Sequence, residues 1–112
     1  MNKKKTIRKK FKEDVLKRDN YSCRSCNYKP IDNMIDLELD AYHIIDRNEM
    51  PNGGYVKENG ITLCNVGENC HLKAEKYHIK NGTEWVVNMH PNDLYEMIGS
   101  SEEKARVASL KL

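Results

Sequence analysis

Apolar residues recur at helical spacing near the start of this chain. Ile7, Phe11, Val15 and Leu16 lie among basic residues at intervals that place them on one face of a helix. This pattern predicts an amphipathic helix over residues 6–18. Its apolar stripe should dock on the rest of the domain, and its basic face should stay free.

A different spacing follows over residues 35–42. Ile35, Leu37, Leu39 and Ala41 alternate with polar or amphipathic residues, which predicts a half-buried strand that ends at His43. Turn-forming residues over 46–54 predict a long exposed loop. Residues 61–63 then predict a short return strand, so the two strands would form a hairpin with a long connection.

A second helix is predicted to begin near Cys70 and to continue through Lys80. Spacings of four and three residues place His71, Glu75 and His78 on one face of this helix. Cys70 points about 100° away from that face. One helix could therefore serve two sites.

The last third of the chain predicts a short strand and two helices. The strand would cover Thr83–Val87, and Pro91 suits the first position of a helix through Ile98. Ser100 and Glu103 predict a capping box for a last helix to about Leu110. Trp85, the only tryptophan, fits a core position better than a base-stacking platform.

Length and composition favour one small domain, and the predicted helices and strands give it an α+β fold class. The chain has 112 residues, of which 38% are hydrophobic and 32% charged, so its core is lean and needs an added constraint. We predict one domain over 1–112, with a basic arm and helix at 1–18, a core at 19–80 and a helical extension at 81–112. No apolar run approaches the roughly 20 residues of a membrane span, and the charged start does not resemble a signal peptide. We therefore expect a soluble, cytoplasmic protein.

The net charge of +2 conceals a strong asymmetry. Residues 1–18 carry nine lysines or arginines against two acids, a net charge of +7, which leaves −5 for the rest. A basic arm of this kind suits a polyanion, although a solvated, fraying terminus would have the same composition. The candidate phosphate-binding residues in the arm are Lys3, Lys4, Lys5, Arg8, Lys9, Lys10 and Lys12.

Four cysteines form two pairs, Cys23-x2-Cys26 and Cys64-x5-Cys70, separated by 37 residues. In a reducing compartment, paired cysteines are more often metal ligands than disulfides. A two-residue spacing also places two thiolates on one edge of a zinc tetrahedron. The second pair is more widely spaced than usual, and disulfides or free core thiols remain alternatives to structural zinc.

Three polar residues could form a second site. His43 ends the first strand, Asn59 precedes the return strand, and His71 follows the fourth cysteine. Considered alone, a histidine at a strand end usually has a structural role, and an asparagine before Gly60 is usually part of a turn. A hairpin packed against the helix would bring both histidines to one place, with room for a divalent ion between them.

The stretch from Leu37 to Glu75 resembles the HNH (His-Me finger) endonuclease family. It contains Ala-Tyr-His-Ile-Ile, then a Gly-Gly pair, then Asn-Gly-Ile-Thr-Leu-Cys, and finally Cys-His-Leu-Lys-Ala-Glu. With the upstream cysteine pair, the resemblance covers about residues 8–80. It implies a ββα-metal fold with a zinc knuckle and metal-dependent hydrolysis of DNA phosphodiester bonds. Members serve in phage packaging, restriction, homing and plasmid defence.

The resemblance also implies a role for each matching residue. His43 would be the general base, Asn59 would tie down the loop that orients it, and His71 would bind the catalytic metal. Mg²⁺ suits this single-metal chemistry, with Mn²⁺ or Ni²⁺ as substitutes. The four cysteines match the structural zinc ligands of many members.

One position departs from the family pattern. The residue before the base is commonly a His or Asp metal ligand, but here it is Tyr42. A neutral phenol is a poor ligand for a hard divalent ion. Either the metal site is weakened, or water, Asp40 or Asp46 completes it. Strand geometry places Asp40 about 6 to 7 Å from the position of Tyr42, which is too far without a bulge.

Three further residues have both a functional and an ordinary interpretation. Arg47 could clamp the scissile phosphate or be a solvated loop charge. His78 and Glu75 could be additional ligands or supporting partners of the metal site, or a solvated helix surface.

Two function classes therefore remain open. The first is a DNA endonuclease, which binds mainly phosphates and obtains any specificity from dimerisation or a partner protein. The second is an inactive zinc-containing module that binds nucleic acid or protein, and the departure at Tyr42 favours it.

Overall fold

The computed structural model describes residues 3–112 and begins with a long helix, α1, over Lys3–Arg18. Met1 and Asn2, the first residues of the predicted basic arm, lie outside the described residues. The helix starts three residues earlier than predicted. Its buried side chains are Phe11, Val15 and Leu16, so the apolar stripe is confirmed for these three residues, whereas Ile7 is only half-buried.

Two antiparallel strands form the sheet. Strand β1 spans Leu39–His43 and strand β2 spans Gly60–Cys64, with Leu39 opposite Cys64 and His43 opposite Gly60. The hairpin with a long connection is therefore confirmed, and His43 lies at the end of its strand. Every residue of β2 is buried, because helices cover the sheet.

The predicted strand over residues 35–42 is wrong in its first half. Ile35–Glu38 form a short helix, α2, and Leu37 is 67% exposed. The pairing register explains the difference, because β2 ends at Cys64 opposite Leu39 and leaves residues 35–38 without a strand partner. The alternating pattern therefore predicts a longer strand than the pairing with β2 allows.

Three helices follow the sheet: α3 over Cys70–Ile79, α4 over Pro91–Met97 and α5 over Glu102–Leu110. Pro91 is the first residue of its helix, as predicted. The predicted cap of the last helix is off by one residue, because Ser101 accepts from the backbone of Lys104 whereas the Ser100 hydroxyl donates to the carbonyl of Glu58.

Two other predictions for the C-terminal part are wrong. Thr83–Val87 is not a strand, because the described sheet has only β1 and β2 and offers it no partner. Trp85 is 45% exposed and does not belong to the core. It packs instead against the rings of Tyr77 and His90 near the surface.

The connection between the strands is less exposed than predicted. Met50, which lies between two short 3₁₀ turns, and Gly54, which ends the second turn, are both buried. Helix α5 packs on the turn at Pro51–Gly54, and the Asn52 amide donates to the carbonyl of Ser109 at 3.0 Å. The C-terminal extension therefore holds the loop that follows His43.

A buried carboxylate joins α1 to the sheet. Asp19, which directly follows α1, accepts a hydrogen bond from the Thr62 backbone at 2.9 Å and pairs with Arg18 at 2.8 Å. Arg18 also donates to the Gly60 carbonyl at 2.7 Å. Because these partners satisfy the buried charge, this end of α1 is fixed against β2.

The described chain is thus a small α+β structure with one antiparallel strand pair and several helices. Within residues 3–112, no helix combines the length and apolar character that crossing a membrane requires.

The contact of α1 with β2 depends on the absence of a side chain at Gly60. A Cβ there would lie 2.5 Å from Val15 Cγ2 and 2.7 Å from the Phe11 ring. We expect Gly60→Ala to destabilise the protein by about 1–3 kcal/mol, measured by denaturant unfolding, because the helix must move away from the sheet. A double-mutant cycle with Val15→Ala should recover part of this loss. A wild-type free energy of unfolding for Gly60→Ala would contradict the described packing.

Candidate functional site

The four cysteine sulfurs form one cluster. All four Sγ atoms lie within 4.8 Å of one another, and Cys23, Cys64 and Cys70 are buried. Cys26 and Cys64 have sulfurs 3.7 Å apart. A Zn–S distance of about 2.3 Å places the thiolates of a tetrahedral site about 3.8 Å apart, so this spacing suits zinc.

Local backbone geometry brings the two cysteine pairs together. The turn at Cys23 is closed by hydrogen bonds from Asn27 N to Cys23 O and from Cys23 N to Tyr28 O, with Asn27 in the left-handed region at φ 67°. Arg24 N donates to Thr62 O and joins this turn to β2. Cys64 then ends β2 and Cys70 begins α3, so one strand and one helix supply the second pair.

The cluster has the chemistry of a metal site. All four cysteines are free thiols, so the disulfide alternative is not realised. Burial raises the pKa of the Cys26 thiol, and burial together with neighbouring thiols raises the pKa of Cys70. Four thiolates at this spacing would repel one another without a cation. These residues could therefore hold a metal ion such as zinc.

A second feature is a cavity of about 540 Å³ beside the sheet, between β1, the following loop and α3. Most of the candidate site residues identified from the sequence line this cavity. Those on its wall are Tyr42, His43, Asp46, Arg47, His71, Glu75 and His78, together with Tyr55.

His43 is held between two aromatic rings. Its imidazole stacks on Phe11 with ring centroids 4.5 Å apart and meets the edge of Tyr55 at 4.7 Å. Burial, with a smaller effect from the charge of Arg47, lowers the pKa of His43 to about 4. The Nε2 atom is buried and has no hydrogen-bond partner among residues 3–112. His43 is therefore neutral at pH 7.

The lowered pKa also gives His43 a defined effect on stability. An unfolded histidine has a pKa of about 6.5, so the folded chain binds its proton less well than the unfolded chain does. The stability that depends on neutral His43 is present above pH 6.5 and is lost as the pH falls toward about 4.

Asn59 ties the loop after His43 to the start of β2. Its side chain is fully buried and accepts from Ile45 N at 3.2 Å while donating to Ile45 O at 3.1 Å and to Gly54 O at 3.3 Å. The Tyr95 hydroxyl donates to the same amide oxygen at 2.7 Å. Asn59, at the end of the loop, is therefore bonded to Ile45 near its start and to Gly54 within it. These bonds fix the backbone just after His43.

His71 lies between two carboxylates. Its Nε2 atom is 2.9 Å from Glu75 Oε1, and its Nδ1 atom is 2.6 Å from Asp40 Oδ2. Asp40 thus reaches the ring from the side away from Glu75. Each ring nitrogen therefore faces one carboxylate, and of the two carboxylates only Glu75 lines the cavity.

Tyr42 occupies the position that the sequence identified as anomalous. Its ring meets His71 edge-on at 5.1 Å, and its hydroxyl is buried without a partner. Burial, with the charges of Glu75 and Asp46, raises the pKa of Tyr42 above its usual value. The phenol therefore stays protonated at pH 7 and is a poor metal ligand.

His78 and Asp46 have defined structural partners. His78 Nε2 donates to the Ile44 carbonyl at 3.0 Å, which joins α3 to the chain after β1. Asp46 Oδ1 accepts from Asn48 N at 3.3 Å and caps a 3₁₀ turn. Neither contact places these side chains beside His71 and Glu75 as ligands.

A basic cavity of about 380 Å³ adjoins the first one and shares Arg47 and Tyr55 with it. Its other charged residues are Lys4 and Arg8, and none of the acidic side chains in the described part of the chain lines it. Arg47 donates to the Tyr55 hydroxyl at 3.4 Å, and the Arg8 guanidinium lies 5.7 Å from the Tyr55 ring. This surface suits an anion.

The remaining basic residues of α1 are distributed more widely. Lys10 pairs with Asp14 at 2.8 Å and Lys12 with Asp36 at 3.4 Å, both at the surface. Lys9 and Lys12 line a separate surface depression with Glu13 and Asp36. Lys3 and Lys5 are exposed on the first turns of the helix. The structure therefore brings only Lys4 and Arg8 to the basic cavity.

Sequence reasoning missed Phe11, Tyr55 and Asn65. Phe11 was assigned to the core, and only the packing of α1 on β1 brings it against His43. Tyr55 belongs to no motif identified in the sequence. The Gly-Gly pair directly before it indicates only a tight turn. Asn65 binds Asp40 at 3.1 Å, and no pattern in the sequence indicates this contact.

Comparisons with known proteins identify no relative. The chain matches no protein-family model, and searches of curated proteins and of solved structures found no significant match.

Within residues 3–112, the cysteine cluster is the only group of three or more Cys, His, Asp or Glu side chains close enough to hold a metal. His71 and Glu75 offer two donors. This number suits Mg²⁺ or Mn²⁺, because such ions keep several waters and are often bound by one or two side chains plus substrate phosphate. His71 and Glu75 could therefore supply two of the ligands of such an ion.

We expect the purified protein to contain one zinc ion, bound by Cys23, Cys26, Cys64 and Cys70. Removing it with a chelator should unfold the region around the strand pair, because the cluster joins β2, α3 and the Cys23 turn. Elemental analysis and circular dichroism would measure both effects. A folded protein without zinc, or one with a Cys23–Cys26 disulfide, would contradict this assignment.

Proposed function

We propose that the protein is a metal-dependent DNA endonuclease of the HNH class. The observation that carries this proposal is the cavity of about 540 Å³ that gathers a neutral imidazole, a guanidinium and a His–Glu donor pair. Phosphodiester hydrolysis needs these three elements: a base for the attacking water, a positive charge for the phosphate and a divalent ion for the developing negative charge.

His43 would act as the general base through Nδ1. Its neutral form accepts a proton from water, and the rings of Phe11 and Tyr55 restrict its orientation. A pKa of about 4 makes the free imidazole a weak base. An anionic phosphodiester beside it would raise that pKa, because a negative charge stabilises the protonated ring.

His71 and Glu75 would hold the catalytic ion at Nε2 and Oε1. When bound, a divalent ion stabilises the negative charge on the phosphate and on the leaving 3′ oxygen. The chain's own contribution is to orient the two donors on adjacent turns of α3, four residues apart. Asn59 supports the opposite wall, since it fixes the backbone just after His43.

The basic cavity would bind the nucleic-acid backbone next to the cleavage position. Arg47 belongs to both cavities, so it could contact the scissile phosphate while Arg8 and Lys4 contact its neighbour. Such contacts depend on the charge of the phosphates and not on the base sequence. The chain would therefore bind DNA with a strong dependence on salt and little sequence preference. Dimerisation or a partner protein would have to supply specificity.

An alternative is a zinc-containing nucleic-acid-binding module without nuclease activity. Tyr42 favours it, because a buried, protonated phenol stands where the HNH pattern has a metal ligand. The module would keep the cysteine cluster and the basic cavity but bind a divalent ion too weakly for catalysis.

The nuclease proposal predicts a large effect at His43. We expect His43→Ala to slow plasmid nicking by about two to four orders of magnitude, the usual contribution of a general base, with DNA affinity nearly unchanged. Nicking would be measured with Mg²⁺, Mn²⁺ or Ni²⁺ and with EDTA as the metal-free control. His90→Asn is a matched control, because His90 caps α4 away from the cavity and Asn also caps helices well.

Equal nicking by the wild type and His43→Ala would refute the assignment of the base. Binding of DNA without nicking by any of the three metals would support the alternative module.

The two candidates also differ in their response at Tyr42. We expect Tyr42→His to increase both divalent-metal affinity and nicking rate, because it adds an imidazole beside His71. Calorimetry with Mn²⁺ and the nicking assay would measure the two effects. Tyr42→Phe is the matched control, since it removes the hydroxyl without adding a ligand.

No gain in either measurement for Tyr42→His would contradict this interpretation. Tyr42 would then be a native part of a working site.

A further inference from the structure

Asp40 lies where a metal ligand could be expected, but its contacts indicate another role. Its Oδ2 atom is 2.6 Å from His71 Nδ1 and 3.1 Å from the Asn65 amide nitrogen. Glu75 lies at the other ring nitrogen, Nε2, at 2.9 Å. Asp40 therefore contacts the edge of His71 that points away from the proposed divalent ion.

This contact determines which nitrogen of His71 can bind a cation. Both carboxylates can accept a hydrogen bond from the ring, but the contact with Asp40 is the shorter one, at 2.6 Å against 2.9 Å for Glu75, and it favours a proton on Nδ1. The lone pair is then on Nε2, the nitrogen that lies beside Glu75. Asp40 thus selects the form of the imidazole that a metal requires.

Asn65 connects this pair to the cysteine cluster. It directly follows Cys64, and its backbone nitrogen donates to Glu38 O at 3.0 Å while its side chain donates to Asp40. His71 directly follows Cys70. Both hydrogen-bonding partners of Asp40 are therefore attached in the chain to a cysteine of the cluster, which holds them in place from two sides.

We infer that Asp40 is a positioning residue, held by Asn65, which orients His71 so that Nε2 and Glu75 form the divalent-metal site. The inference rests on the proposed function for the role of that site. The hydrogen-bonded arrangement itself can be tested on zinc-loaded protein without the divalent ion.

The first measurement is the protonation pattern of the His71 ring, by long-range ¹H–¹⁵N NMR of the zinc-loaded protein. We expect the proton on Nδ1 in the wild type. In Asp40→Asn the amide can donate to Nδ1, so the proton should move to Nε2. Asn65→Ala should give a mixture of the two forms, because Asp40 loses one of its two anchors.

The second measurement is Mn²⁺ affinity, by calorimetry, of the same zinc-loaded proteins. Loss of the partner of a metal-bound histidine typically lowers metal affinity 10–100-fold. We expect a loss in this range for Asp40→Asn and a smaller one for Asn65→Ala. Asp36→Asn and Asn33→Ala are matched controls on the exposed surface of the same region, and both should bind Mn²⁺ as the wild type does.

Two results would overturn the inference: a wild-type His71 with its proton on Nε2, or an Asp40→Asn protein with unchanged ring form and unchanged Mn²⁺ affinity. Zinc content and thermal unfolding would identify any variant that fails to fold, and Asn65→Ala then carries the test. If the wild type neither binds Mn²⁺ nor nicks DNA, the proposed function fails, but the NMR result still decides whether Asp40 orients His71.

Discussion

The cluster of four cysteines is the constraint on which the rest of this structure depends. It joins the turn at Cys23 to the end of β2 and the first residue of α3, and the two cysteine pairs involved are separated by 37 residues of the chain. A two-stranded sheet of five-residue strands is marginal by itself. A metal at this cluster would supply the stability that so small a core lacks, and it would fix α3 against the sheet.

The positions of the proposed metal ligands on α3 depend on that cluster. His71 follows Cys70 and Asn65 follows Cys64, so the helix face that carries His71 and Glu75 is set by the cysteine cluster. The opposite wall depends on different contacts, chiefly the aromatic packing of His43 on Phe11 and the hydrogen bonds of Asn59. α1 thus contributes a ring behind the proposed base as well as basic residues for an anion.

Local patterns in the sequence predicted most of the helices and the cysteine cluster better than they predicted contacts between distant residues. The cysteine spacing and the helical face of His71 follow from rules that involve only a few neighbouring residues, and both are found in the structure. The extent of β1 could not be predicted in this way, because it depends on where its partner strand ends. The same limit applies to Trp85, whose burial is decided by packing and not by its own hydrophobicity. The Asp40–His71 contact also joins residues 31 positions apart, so no local pattern reveals it.

The positions of two different metals would test this account most directly. They can be measured by X-ray diffraction from crystals of the zinc-loaded protein grown with Mn²⁺, with anomalous scattering recorded at the zinc and manganese absorption edges. The account predicts zinc among the four cysteine sulfurs and manganese at bonding distance from His71 Nε2 and Glu75, on the cavity side of the ring. Manganese bound to Nδ1 beside Asp40, or a cavity that takes no manganese while the cysteines hold zinc, would contradict it.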